Sequence, residues 1–185
     1  MPRSATGRIQ LINNQLQNIG TIETSGFDVA LAYASPDTDL GNFLVTVNAT
    51  NLDKYTETTN NTDGSTTVSE FAGIHTNETF ERAFPEWRMV TSVDWMKERW
   101  SGTLSFRWID EMESSAGTRI DSAMFTDLQL RYEPSFINDS LTLTAGFNNV
   151  FDEDPPVCDC NLIGLSTVAH DIPGRVGYLR ASYEF

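Results

Sequence analysis

Two cysteines, two histidines and a few runs of carboxylates are the side chains of this sequence with the chemistry to act on something. Cys158 and Cys160 have a single residue between them. A disulfide across that spacing closes a very small, strained ring. A metal site needs more ligands than one Cys-Asp-Cys segment offers. His75 and His170 are not spaced as a metal-binding pair. The cysteines therefore read as a loop pair from an oxidising compartment, strained and labile, and no metal centre is expected. Glu111 and Glu113 share a face if the chain is extended there, as paired acids in acid–base catalysis do. In a long loop, however, such acids are usually solvated. Asp152, Glu153, Asp154, Asp159 and Asp171 have the ligand type for calcium, yet they read as an acidic surface loop. No catalytic constellation rises above background, so neither an enzyme nor a cofactor is expected.

The elements that carry these residues alternate with period two, and helical periodicity is missing. Thr21 to Ala34 sets Phe27, Val29, Leu31 and Tyr33 against Asp28, Ala30 and Ala32. The same alternation predicts strands over Gly41 to Asp53, Glu86 to Trp95, Trp100 to Ile109, Ala123 to Tyr132 and Ser140 to Asn149. Ile9 to Asn13 is a weaker candidate, and Arg175 to Phe185 closes a set of roughly eight. In the last strand Gly177, Leu179, Ala181, Tyr183 and Phe185 fall on one side, and Tyr178, Arg180, Ser182 and Glu184 on the other. The sequence ends there on an aromatic residue.

Most of these runs approach the roughly nine to eleven residues of a tilted strand that spans a bilayer. Strands of globular proteins average about five or six. Connections also alternate: Ser35 to Leu40, Met96 to Arg99 and Glu133 to Asp139 are short, whereas Lys54 to Pro85, Asp110 to Ser122 and Val150 to Gly174 are long. Short turns on one side and long loops on the other is the asymmetry of an outer-membrane β-barrel. Lys54 to Pro85 and Val150 to Gly174 are accordingly expected to be extracellular and mobile, and Met96 to Arg99 a tight periplasmic turn. A net charge of −14 argues against a nucleic-acid partner. Mean hydropathy is −0.30, and no apolar run is long enough for a transmembrane helix. Barrel strands are only half apolar, so neither value argues against a barrel. Met1-Pro2-Arg3-Ser4 leads into no apolar stretch, so any export signal is expected elsewhere.

The aromatic residues sharpen this picture. Trp95 and Trp100 flank one short turn, and Trp87 and Trp108 sit at the other end of the same hairpin. Eight residues span about 26 Å of strand, or about 20 Å of height at a 40° tilt, close to the apolar band of about 25 Å between aromatic girdles. Tyr33, Tyr132, Tyr183 and Phe185 end strands that lead toward the short-turn side. The opposite faces carry mainly Ser, Thr, Asn, Asp, Gln and Arg, which favours part of a wide barrel with a wet lumen over a small, filled one.

Several segments resemble the C-terminal part of TonB-dependent outer-membrane receptors. Asn149-Val150-Phe151-Asp152, followed by Asp154-Pro155-Pro156, is similar to that family's Asn-Leu-Phe-Asp segment entering the last long loop. His170-Asp171-Ile172-Pro173-Gly174-Arg175 is similar to its Tyr-Asp-x-x-Gly-Arg segment, with His170 where Tyr is usual. Pro85-Glu86-Trp87-Arg88, and Asn18-Ile19-Gly20 with Thr24-Ser25-Gly26-Phe27-Asp28, resemble two family strand starts. The family motif thus rests on Asn149, Phe151, Asp152, Pro155, Pro156, Asp171, Gly174 and Arg175. The resemblance implies an antiparallel transmembrane barrel of 22 strands around a plug, of which residues 1–185 would supply about eight and no plug. It implies a bacterial outer-membrane receptor for a scarce, large ligand such as a ferric siderophore, cobalamin or glycan, energised through TonB. Implied partners are outer-membrane lipid, the rest of the barrel and plug, the TonB complex, and the barrel-assembly machinery, which would recognise Phe185. Ligand-contacting residues of that family vary with the ligand, so none is named. A complete small eight-stranded outer-membrane barrel and a secreted β-sandwich binding module are the alternatives.

Overall fold

The structure is a computed structural model and describes residues 7, 20–77, 80–135 and 140–184. Its strands are β1 (Gly20–Ala34), β2 (Asn42–Asn60), β3 (Thr66–Glu70), β4 (Ile74–Thr76), β5 (Arg82–Ala83), β6 (Trp87–Lys97), β7 (Trp100–Ile109), β8 (Met112–Ser114), β9 (Arg119–Ile120), β10 (Ala123–Tyr132), β11 (Leu141–Asn148) and β12 (Val176–Tyr183). The order β1-β2-β6-β7-β10-β11-β12 forms one antiparallel sheet, with β3 folded back on the distal part of β2. The sheet is open: β1 and β12 lie at its two edges and do not pair with each other. A second, four-stranded sheet has the order β5-β4-β8-β9 and is built entirely from the long loops. The expected strand at Ile9 to Asn13, the segment Asn18-Ile19 and the terminal Phe185 lie outside the described residues.

Register explains how one face of the large sheet becomes apolar. Leu31 pairs with Val47, Tyr33 with Val45, Val45 with Val93 and Val93 with Leu104. The row continues from Leu104 to Leu128 and from Leu128 to Phe147. A neighbouring row runs from Leu130 through Ala145 to Leu179. Period-two alternation places every one of these side chains on the same face. That face is bare: Leu31 is 62% and Leu179 is 81% exposed. Among the described residues no second sheet covers it, which removes the β-sandwich alternative; a sandwich needs two apolar inner faces packed together.

The other face is a hydrogen-bonded polar surface. Thr46 Oγ1 and Ser92 Oγ lie 2.8 Å apart. Thr103 Oγ1 donates to Asp94 Oδ1 at 2.6 Å, and the Tyr178 hydroxyl donates to Gln129 Oε1 at 3.0 Å. Arg107 Nε donates to Asp127 Oδ2 at 3.0 Å. Cross-strand pairs on one face act as the stabilising units of a sheet, and here they are polar pairs on the face that is the candidate for a lumen.

The three short connections lie at one end of the sheet and the three long ones at the other. The β6–β7 turn is just Glu98 and Arg99, with Lys97 paired to Trp100. Glu98 has φ 53°, the positive value that a primed hairpin turn requires at its first central residue. In the β1–β2 turn, Gly41 has φ 105°, and a Cβ there would meet the Met96 carbonyl oxygen at 2.4 Å. Trp95 Nε1 donates to the Leu40 carbonyl at 2.7 Å and joins that turn to β6.

Two expectations need correction. The second strand does not end at Asp53: β2 runs on to Asn60, because its distal part pairs with β1 on one side and β3 on the other. The long loops are not free excursions either. They hold the small sheet and a buried cluster of Met112, Ile120, Cys158, Cys160 and Ala169, with Ala83 packed against it.

Candidate functional site

Residues 149–175 begin with a tight turn that closes β11. Asn149 has φ 52° and Asp152 φ 59°, left-handed values that Asn and Asp tolerate better than most residues. The buried Asn149 side chain accepts from Glu153 N at 2.9 Å and donates to the Glu153 carbonyl at 2.8 Å. Its backbone N donates to Asp127 Oδ1 at 2.9 Å. Asp152 Oδ1 then accepts the Arg175 amide at 2.7 Å, so the end of β11 holds the start of β12. A Cβ on Gly174 would sit 2.9 Å from that same Asp152 oxygen, which explains the small residue there. Asp171 Oδ2 accepts from Arg107 Nη1, which pins the return of the loop to the polar face of β7. Asn149, Asp152, Asp171, Gly174 and Arg175 thus form a clamp around a loop. Phe151 is exposed, and Pro155 and Pro156 are half-buried. The acidic residues of this loop do not converge: Asp152 holds Arg175, Asp171 meets Arg107, and Asp159 accepts from Thr118 Oγ1 at 2.6 Å.

The clamp positions the loop's middle over the small sheet. Parallel pairing of β4 with β8 joins the first long loop to the second. Ser115 N donates to the His75 carbonyl at 2.9 Å, and Glu113 N to the Gly73 carbonyl at 2.8 Å. The last loop is tied on through Glu81. Its Oε1 accepts from Asn161 Nδ2 at 3.2 Å and Thr167 N at 3.1 Å, and its Oε2 from Thr167 Oγ1 at 2.9 Å. Burial pushes the Glu81 carboxyl up, but the hydrogen bonds from Thr167 and His75 outweigh it and hold the group below the usual carboxylate range. Asn77 Nδ2 donates to the Cys160 carbonyl. Cys158 and Cys160 are joined by a disulfide. Phe71, Phe84 and Tyr55 cluster, with Tyr55 and Phe84 ring centroids 4.4 Å apart. Arg82 lies 4.9 Å over Phe71 and donates to Glu57 Oε1 at 2.5 Å, binding the cap, formed by the small sheet and the long loops packed on it, to β2. An open cleft of about 440 Å³ runs along the cap and is lined in part by Glu86, Asp110, Glu111, Glu113 and Arg119. Arg119 pairs with Glu111 at 2.5 Å and with Asp121 at 3.0 Å.

The family described as TonB dependent receptor-like, beta-barrel matches residues 2–150. The chain belongs to this family. No curated protein and no solved structure matches it. Members of the TonB-dependent receptor family are outer-membrane transport receptors, and the eight-stranded antiparallel sheet is a portion of such a barrel wall. The match ends at Val150, so the clamp and the closing strand lie almost wholly beyond it.

The seven aromatic residues singled out in the sequence all occupy the apolar face of this receptor wall. Trp100 stacks on Tyr132 at 4.3 Å, and with Tyr33, Trp95 and Tyr183 they lie near the short-turn end. Trp87 and Trp108 lie near the loop end, where Trp87 meets Phe27 edge-on at 5.4 Å. Sequence reasoning named His75 but missed Glu81, Asn161 and Thr167 of the cap. Thr167 and Glu81 are 86 positions apart, beyond the reach of any local pattern.

Proposed function

We propose that residues 1–185 form the C-terminal part of a bacterial outer-membrane active-transport receptor. The remaining wall of a 22-stranded barrel, the plug and the segment that meets TonB come from elsewhere in the receptor. Its cargo is a large, scarce ligand of the ferric siderophore, cobalamin or glycan type, and transport draws its energy through TonB. The observation that carries this reading is the opposition of faces across the same strands. Val93, Leu104 and Leu128 form one unbroken apolar row, while Ser92, Thr103 and Gln129 belong to the polar face behind it. The first face suits lipid, and the second a wet lumen that large polar cargo can cross. On this reading the aromatic residues form two girdles, with the cap outside the cell and the short turns in the periplasm.

Spin labels test it site by site in the receptor reconstituted in lipid. Labels at 93, 104 and 128 are expected to collide with oxygen dissolved in lipid. Labels at 92, 103 and 129 are expected to collide with a water-soluble nickel chelate. Equal access of both sets to water would overturn the membrane reading. On this reading Phe185 serves as the signal to the barrel-assembly machinery. Its deletion should reduce folded, heat-modifiable receptor in outer-membrane fractions while leaving synthesis unchanged. Equal amounts of both proteins would make Phe185 an ordinary terminal residue.

A further inference from the structure

The cap brings together one nitrogen, one oxygen and one sulfur donor from distant parts of the chain. A ligand atom from each of His75, Glu81 and Cys160 lies within 4.8 Å of the others. His75 Nε2 and Glu81 Oε1 are 3.3 Å apart. The His75 ring is buried, and its Nδ1 has no hydrogen-bond partner among the described residues. Donors at about 2.0–2.3 Å from a tetrahedral Zn²⁺ sit roughly 3.2–3.8 Å from one another, so the cluster needs to contract by about 1 Å. The mixture of imidazole, carboxylate and thiolate suits a borderline divalent ion such as Zn²⁺, and it disfavours Ca²⁺ or Mg²⁺, which take oxygen donors.

Cys160 is also half of the disulfide with Cys158. In that state its sulfur is bonded to sulfur and offers no thiolate, leaving only His75 and Glu81. We propose that His75, Glu81 and Cys160 form a redox-gated site for a divalent transition metal, closed by the Cys158–Cys160 disulfide and opened by its reduction. An external dithiol or phosphine supplies two electrons and, with water, two protons. The S–S bond breaks, the reductant is oxidised, and two thiols form. Binding of the ion then displaces the Cys160 thiol proton to solvent, and Cys160 joins the other two donors. Three protein donors leave a fourth position for water or a ligand group. His75 and Glu81 belong to the first long loop and Cys160 to the last, so the bound ion staples the two together. The inference does not depend on which cargo the receptor carries.

The test uses the complete receptor in detergent, with Zn²⁺ measured by competition against a chromophoric chelator and Co²⁺ as the spectroscopic probe. Phosphine-reduced receptor is expected to bind Zn²⁺ at least tenfold more tightly than the oxidised form. Reduced receptor with Co²⁺ should show a thiolate-to-metal charge-transfer band. C158S, which cannot form the disulfide, should bind without reductant and show the same band. C160S should lose the band, and H75Q and E81Q should each weaken Zn²⁺ binding at least tenfold in protein that keeps its heat-modifiable mobility. Absence of the Co²⁺ band in reduced wild-type receptor would overturn the proposal, whatever the variants do. So would Zn²⁺ affinity that is independent of redox state, or a band that survives in C160S.

Discussion

The wall and the cap of this molecule are stabilised in opposite ways. In the wall, the large hydrophobic side chains point away from the polar face and touch only their neighbours on the same face, as Trp100 does Tyr132. Its strands are joined by backbone ladders, and its polar face is satisfied by pairs such as Thr103–Asp94 and Arg107–Asp127. In the cap, strands of two or three residues would not hold together alone, yet Ile120 is 0% exposed and sits among Met112, Ala169 and a disulfide. The cap resembles a small secreted domain, where a cross-link supplements a core that is too small. The wall resembles such a protein turned inside out, with lipid in place of the core. The same chain uses hydrophobicity outward in one region and inward in the other, according to the solvent each region meets.

The largest expected effect breaks this comparison in the wall. Leu104 lies in mid-strand on the apolar face, paired with Val93 and Leu128. Leu104→Arg should cost about 2–4 kcal/mol in lipid. Ser105→Arg, one residue along on the polar face, should cost much less. Urea titration of the receptor folded in vesicles reads both. Equal losses would mean that the two faces do not meet different solvents.

The next effect lies at the junction of the two regions. Asn149→Ala removes two side-chain hydrogen bonds of the buried turn and places a Cβ-bearing residue without a polar side chain at φ 52°. Net hydrogen-bond values of about 0.5–1.5 kcal/mol each, with about 1 kcal/mol for the backbone, give a loss of about 2–4 kcal/mol. Asn149→Gly keeps the backbone conformation accessible and should lose about half as much. Denaturant unfolding, together with protease sensitivity of residues 150–174, measures both. If the two variants cost the same, the left-handed turn is not part of what the clamp contributes.

The wall was legible in the sequence and the cap was not. β7 and β10 occupy the predicted ranges, Trp100–Ile109 and Ala123–Tyr132, because alternation there is sharp and a turn or a loop bounds each end. The distal half of β2 escaped, since Lys54 to Asn60 is polar on both faces and carries no period-two signal. The strands of the cap are too short for any periodicity to register. Their partners lie far apart in the chain, as with Asn161 and Glu81, 80 positions away. His75 looked isolated because its neighbours, Glu81 and Cys160, become neighbours only when the loops fold together. The clamp motif could be recognised by its residue types, but its work, joining β11 to β12 through Asp152 and Arg175, needed coordinates.

The smallest expected effect sharpens the comparison from the cap side. His170 is buried beside Phe125, with ring centroids 6.5 Å apart, and neither ring nitrogen has a hydrogen-bond partner among the described residues. Burial, then the electrostatic influence of Arg88 and His75, pushes its pKa below the ordinary value of 6.5, and only Asp171 opposes them. The folded cap therefore prefers neutral His170, whereas the unfolded loop takes a proton near pH 6.5. Stability from this group is fully present above that pH. It declines as pH falls below 6.5 and stops declining once the depressed folded value is passed. Amide exchange in residues 150–174 should accelerate between pH 7 and 5, relative to intrinsic rates, while exchange in β7 and β10 stays level. His170→Gln should flatten the dependence, because glutamine does not titrate. Acceleration of wall and cap together, or a pH dependence that persists in the variant, would show that another group controls the cap, and that the boundary between the two regions is not drawn at His170.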